Sequence, residues 1–271
     1  MKQYLFVGDT HGDMDFLQRA LEIAHDNGVT DVIQVGDFGY LWPKYDHLEY
    51  VSRLCAMYSV TLRWIDGNHD WHTRIRELCE MHSLACTTLP GGGVPLGAPE
   101  HRENLIYQPR GSWYKDEDGT RFLFCGGAPS IDWWNRTEGV SWWENEEIIS
   151  EDEFELAMDA PGRMHVIVTH DAPAFPPGFG PKGDLKFQAR GARSMEMISM
   201  LVDEHRPELL VHGHWHRRYS SHHKWMNNRL GAWYKKEPSR TDLEGSSRVE
   251  GLDCNNAHFI ADAMLFWNRD A

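Results

Sequence analysis

The chain has 271 residues and a formal net charge of −14, which leaves no broad basic surface to neutralise a duplex backbone and excludes a general duplex-DNA binder. Hydrophobic residues at 41% and aromatic residues at 12% suffice for a core, and no run is long and apolar enough for a membrane span, nor is there a secretory leader at the start, so one cytoplasmic α/β domain over 1–271 is expected. Five cysteines, Cys55, Cys79, Cys86, Cys125 and Cys254, form no close CxxC pair, which argues against a disulfide framework or a zinc ribbon and fits a reducing compartment.

In chain order, Met1 to Val7 reads as a strand that delivers Gly8-Asp9-Thr10-His11-Gly12-Asp13. Phe16, Leu17, Ala20, Leu21 and Ala24 then recur at helical spacing, and Asn27-Gly28 supplies a stop. Val29 to Val35 predicts a second strand leading into Gly36-Asp37-Phe38-Gly39, His47 to Tyr58 a helix, and Val60 to Ile65 a third strand that exits at Asp66-Gly67-Asn68-His69-Asp70. A further helix is expected over Thr73 to Met81, followed by turns through the Gly- and Pro-rich residues 90–99, which lack the Gly-Lys-Ser/Thr ending of a nucleotide-cradling loop.

Leu105 to Trp113 and Thr120 to Cys125 read as one hairpin that opens a second sheet. Residues 130–143 carry four of the twelve tryptophans without regular period and predict a loop, after which Ser150 and Glu153 form a capping box. His165 to Thr169 is a strand ending in His170-Asp171, residues 175–191 read as a mobile loop, and Ser194 to Glu204 as a helix. Leu209 to Val211 leads into His212-Gly213-His214-Trp215-His216, a basic stretch covers 217–240, and terminal strands are expected over Arg248 to Cys254 and His258 to Trp267.

The recurring feature is an apolar run that ends in Asp, Asn or His. Residues two apart in an extended chain point the same way, so Asp9 with His11 can offer an oxygen and a nitrogen to one ion. Adding Asp37, Asn68, His170, His214 and His216 gives a set without thiolate that suits Mn, Fe, Zn, Co, Ni or Mg, with manganese foremost. Seven ligands exceed one ordinary site but suffice for two divalent ions if a carboxylate bridges, the arrangement that clamps attacking and leaving oxygens at phosphorus. Spacing alone would also admit His212. His25, His47, His72, His82, His101, His165, His205 and His258 read as structural, and Asp13, Asp66, Asp70 and Asp171 as groups that orient ligands or form turns.

The blocks Gly-Asp-Thr-His-Gly-Asp, Gly-Asp-Phe-Gly, Gly-Asn-His-Asp, Thr-His-Asp and Gly-His-Trp-His, in this order over positions 8 to 216, resemble the signature motifs of calcineurin-like metallophosphoesterases, especially small bacterial or phage-type members. The resemblance implies a four-layer α/β/β/α sandwich of two mixed sheets with a dinuclear metal site at the strand ends. It implies that Asp9, His11 and His216 hold one metal, Asn68, His170 and His214 the other, and that Asp37 bridges. His69 would be the catalytic imidazole that stabilises the transition state or protonates the leaving oxygen. Two departures matter: no Asp-Arg-Gly follows Asp37, unlike the family's protein phosphatases, and Tyr40 stands where purple acid phosphatases carry a metal-binding tyrosine but here reads as packing.

The expected function is hydrolysis of small phosphodiesters, cyclic nucleotides included, by hydroxide activated at the metal pair. A broad phosphomonoesterase, a single-strand nuclease and a non-catalytic scaffold are the alternatives. Trp133 and Trp134 could stack a nucleobase while Arg136 or Arg193 reaches a phosphate.

Overall fold

The computed structural model describes residues 2–84, 89, 92–180, 185–226 and 245–269. Its elements are β1 (Tyr4–Val7), α1 (Met14–Asp26), β2 (Asp31–Gln34), β3 (Leu41–Trp42), β4 (Tyr45–Asp46), α2 (Leu48–Met57), β5 (Thr61–Trp64), α3 (His72–Leu84), β6 (Val94–Pro95), β7 (Leu105–Tyr107), β8 (Trp113–Lys115), β9 (Arg121–Cys125), α4 (Glu151–Met158), β10 (Val166–Thr169), α5 (Leu185–His205), β11 (Leu209–His212), β12 (Tyr219–Lys224), β13 (Ser246–Gly251) and β14 (Met264–Trp267).

Two six-stranded sheets form, in the orders β14-β1-β2-β5-β7-β6 and β12-β13-β11-β10-β9-β8. Each has a parallel centre flanked by antiparallel edges: β14 and β6 in the first, β12 and β8 in the second. Alternation along the strands stacks them. Tyr4, Phe6, Ile33 and Val35 of the first sheet meet Phe122, Phe124, Val166, Val168, Leu209 and Val211 of the second in a shared core. The opposite faces carry Leu5, Val7, Val32, Leu62 and Trp64 under α1 and α2, and Leu123, Ile167, Leu210 and Val249 under α4 and α5. This is the expected α/β/β/α sandwich. Among the described residues, no helix is long and apolar enough to cross a membrane.

Local signals govern the element ends. Asp13 caps α1 by accepting from the Phe16 N–H at 3.0 Å, and the Ser150–Glu153 capping box closes on α4 in both directions, at 3.2 and 2.8 Å. Three expectations are corrected. The hairpin read over Leu105 to Cys125 divides: β7 joins the first sheet parallel to β5, and only β8 pairs with β9. The break falls at Pro109-Arg110-Gly111, where Pro109 has no N–H to give a ladder and Gly111 turns at φ 80°. Helix α5 begins at Leu185, so part of the stretch read as loop is helical. The terminal strands are shorter than read, with a 3₁₀ turn at Ile260–Ala263 between them. Most of the basic stretch 217–240 lies outside the described residues, apart from β12 and its flanks.

The crossing between sheets is pinned by a buried ion pair. Arg110 reaches Asp66 through Nε at 3.0 Å and Nη2 at 2.5 Å, and donates to the Ile148 and Glu146 carbonyls at 2.7 Å each. Tyr107 donates its hydroxyl to the other Asp66 oxygen at 2.9 Å. Burial alone would raise the Asp66 carboxyl, yet Arg110 and then His72 hold it well below the usual carboxylate range. A depressed folded-state pKa adds stability above the unfolded value and loses it as pH falls. Arg110→Ala should therefore destabilise the protein by about 3–5 kcal/mol at neutral pH, because a buried carboxylate is left unpaired. Denaturant unfolding at neutral and acid pH checks this, and the variant's deficit should shrink on acidification.

Candidate active site

The C-terminal ends of the parallel strands of both sheets converge, the position where open α/β sheets collect ligands. Asp9 follows β1, Asp37 follows β2, Asn68 and His69 follow β5, His170 follows β10, and His214 and His216 follow β11. Side-chain donor atoms of Asp9, His11, Asp37 and His216 all lie within 4.8 Å of one another. His216 Nε2 is 3.0 Å from Asp9 Oδ2 and His11 Nε2 is 3.4 Å from Asp37 Oδ2. On the other side, His170 Nε2 lies 3.4 Å from Asp37 Oδ1 and 3.2 Å from Asn68 Oδ1, and the His214 ring stands 5.2 Å from that of His170. Asp37 thus sits between two groups of donors.

The backbone is shaped to this purpose. His11, Asp37, His214 and His216 all adopt positive φ, between 45° and 64°, a region that costs a non-glycine residue about 1–3 kcal/mol. Two glycines allow the strand-end loops to close in: a Cβ at Gly67 would lie 2.2 Å from Asp37 Oδ1, and one at Gly213 would lie 2.0 Å from Asp9 Oδ1. Asp70 accepts from the N–H groups of Phe38, Gly39 and Gly67, at 3.1, 2.9 and 2.8 Å, and so ties the loops after β2 and β5 together.

A surrounding layer orients the donors. Asn68 Nδ2 donates to Ser130 Oγ at 3.2 Å, and Ser130 Oγ donates to Glu147 at 2.6 Å, which leaves the Asn68 carbonyl oxygen facing the cluster. His170 Nδ1 is 2.8 Å from the Val35 carbonyl, and a neutral acceptor there fixes the tautomer that presents Nε2. His11 Nδ1 is 2.9 Å from Asn255 Oδ1, whose amide in turn donates to Asp13 at 3.2 Å.

The electrostatics are those of a compressed set of like ligands. Burial would raise the Asp37 carboxyl, but His170, His69 and His11 hold it well below the ordinary range. Against burial, Asp37 raises His11 to about 9 and His170 to about 10. The bonds to Asp9 and then Cys254 raise His216 to about 11. His214 is pushed down by burial and by His170, which favours the neutral ring with one nitrogen free to donate a lone pair. Oxygen and imidazole donors packed around a fully buried carboxylate fit divalent cations.

His69 Nε2 is 2.7 Å from Arg136 Nη2, and Arg136 Nε donates to Asp132 at 2.7 Å. Asp37, Asn68, His69, His214 and His216 form part of a cleft of about 300 Å³ whose walls are Ile131 and Asp132 on the Trp-rich loop and Phe179 and Trp215. The remaining candidates stand elsewhere. Trp133 packs on Trp142 at 5.5 Å and Trp134 is 53% exposed, and neither lines the cleft. Arg193 pairs with Glu151 at 2.7 Å on the surface. His212 is buried with Nε2 2.6 Å from the Tyr219 hydroxyl, and Tyr40 packs on Phe38 and donates to the Asp13 carbonyl at 2.6 Å. The sequence reading missed Asn255 and Cys254, which end the run after β13. They repeat the strand-end pattern of the signature blocks, and that repetition was the available signal.

Calcineurin-like phosphoesterase is the family whose model matches, over residues 3–218. The chain belongs to this family. TT1561 of Thermus thermophilus shares the fold with 14% identity and a TM-score of 0.52, covering 98% of each chain. A dimetal phosphatase from Danio rerio does so with 12% identity and a TM-score of 0.51, over 98% of this chain and 91% of its own. No curated protein sequence matches the chain. The family supports metal-dependent phosphoester hydrolysis at a dinuclear divalent site, for which the cluster around Asp37 is the candidate.

Asp70→Ala would strand three buried N–H donors, at about 1–3 kcal/mol each. Thermal unfolding should fall correspondingly, and a variant as stable as the parent would contradict the tethering role.

Proposed function

We propose that the protein is a phosphodiesterase for small diesters, cyclic nucleotides among them. In this reading Asp9, His11 and His216 hold one divalent cation, Asn68, His170 and His214 the other, and Asp37 is shared; manganese is the first expectation for the ions. The observation that carries the diester preference is the pair of opposed cleft walls, Ile131 on one side and Phe179 with Trp215 on the other, which give each ester arm of a diester an apolar surface.

Bound cations supply Lewis acidity towards phosphoryl oxygens and towards water. The chain's own residues orient and move protons. Burial and the neighbouring Arg136 push the His69 pKa down despite the opposing pull of Asp37, so the imidazole starts neutral. It is suited to accept at Nε2 the proton that the attacking water gives up and to deliver it to the departing oxygen, rather than to begin as the acid. Arg136, tethered by Asp132, can turn its Nη2 from His69 to a phosphoryl oxygen, adding charge where the transition state develops it.

His69→Ala should lower kcat by about 10²–10⁴-fold while elemental analysis finds the parent's metal content; Asp37→Ala should lose metal. Full activity of His69→Ala on a diester with an alkoxide leaving group would remove the proton-transfer role. Phe179→Ala should lower kcat/KM for diesters relative to monoesters by about tenfold, the scale of one lost apolar contact. A parent enzyme that already prefers monoesters in a matched nitrophenyl panel would overturn the diester reading.

A further inference from the structure

The family match ends at residue 218, yet the chain returns to the site after β13. Leu252 donates its N–H to the His212 carbonyl and Asn255 donates its N–H to the Asp9 carbonyl, both at 2.9 Å, so this segment is strapped across the ends of β11 and β1. Between those two anchors lies Cys254, 5% exposed. Its Sγ and ring nitrogens of His11 and His216 all lie within 4.8 Å of one another. The thiol is thus gathered with two of the imidazoles assigned to the cation beside Asp9. Among the described residues, the other free cysteines have different surroundings: Cys55 and Cys125 are buried in the two helix-facing cores, and Cys79 packs partly buried against the first of them.

We infer that Cys254 is an additional ligand of the cation held by Asp9, His11 and His216, binding through Sγ as a thiolate whose proton passes to solvent when the ion enters. The inference rests on the metal assignment proposed above. Its chemical consequence is a site with one soft donor, which moves preference from manganese and magnesium towards zinc, cobalt or ferrous iron. The reading of the signature blocks alone gave a set without sulfur, because the sulfur donor lies beyond those blocks in the chain.

Cobalt(II) titrated into the metal-free full chain tests this without reference to turnover. The parent protein should develop near-ultraviolet thiolate-to-cobalt charge-transfer absorption. Cys254→Ser should still bind cobalt, lose that absorption, and bind the ion at least about tenfold more weakly; Cys79→Ser should keep it. An independent check needs no variant: in the parent, Cys254 should resist alkylation when cobalt is bound and lose that protection when the ion is removed, as read by peptide mass spectrometry. Cobalt binding without the absorption, absorption that survives Cys254→Ser, or equal alkylation with and without metal would each overturn the cysteine's role while leaving the metal centre intact. Failure of the parent to bind cobalt would overturn both.

Discussion

A carboxylate almost wholly removed from water at the floor of the cleft is the constraint around which this molecule is arranged. Asp37 lies at the seam between two sheets, and burying its charge is tolerable only if cationic or donor groups meet it. His11 and His170 approach its two oxygens, and the backbone N–H of His69 donates to Oδ1 at 2.7 Å. Those partners arrive on three loops from strands in both sheets. The stacking of the sheets and the pairing of charge are therefore linked: slide one sheet relative to the other and Asp37 loses His170, its partner from the second sheet.

Strain and support are distributed accordingly. Four of the clustered residues hold left-handed backbone conformations, which persist only where surrounding structure over-determines them. Here that structure is Asp70, which binds the loops after β2 and β5, and the Ser130–Glu147 pair behind Asn68. The polar interior is thus two shells deep, with the outer shell deciding which atoms of the inner one face the cleft.

The strand-end carboxylates and imidazoles were legible because each follows an apolar run, and their two-residue spacing has a direct meaning in extended chain. Helix α1 was legible in its apolar spacing and the Asn27-Gly28 stop, and α4 in its Ser150–Glu153 capping box, whereas the Asp13 cap of α1 was not. Other features depended on where chain segments meet. Nothing local in Leu105–Tyr107 says that it pairs with β5, since an apolar run fits either sheet and the Pro109 break is the sole hint. Trp133 and Trp134 looked like a stacking platform by composition, yet the aromatic faces in the cleft come from Phe179 and Trp215, brought there from the other side. Asn255 and Cys254 illustrate the same limit: their role depends on a return of the chain after β13, which periodicity does not encode.

That return has a consequence for how the molecule is made. Strand β1 takes β14 as its outer neighbour, Tyr4 opposite Trp267, while the strand before that turn, β13, belongs to the other sheet. Strands far along the sequence therefore stitch together layers begun much earlier, a wiring of high contact order that slows folding. Until residue 267 has emerged from the ribosome, the outer edge of β1 has no ladder partner and stands open to pairing with another chain.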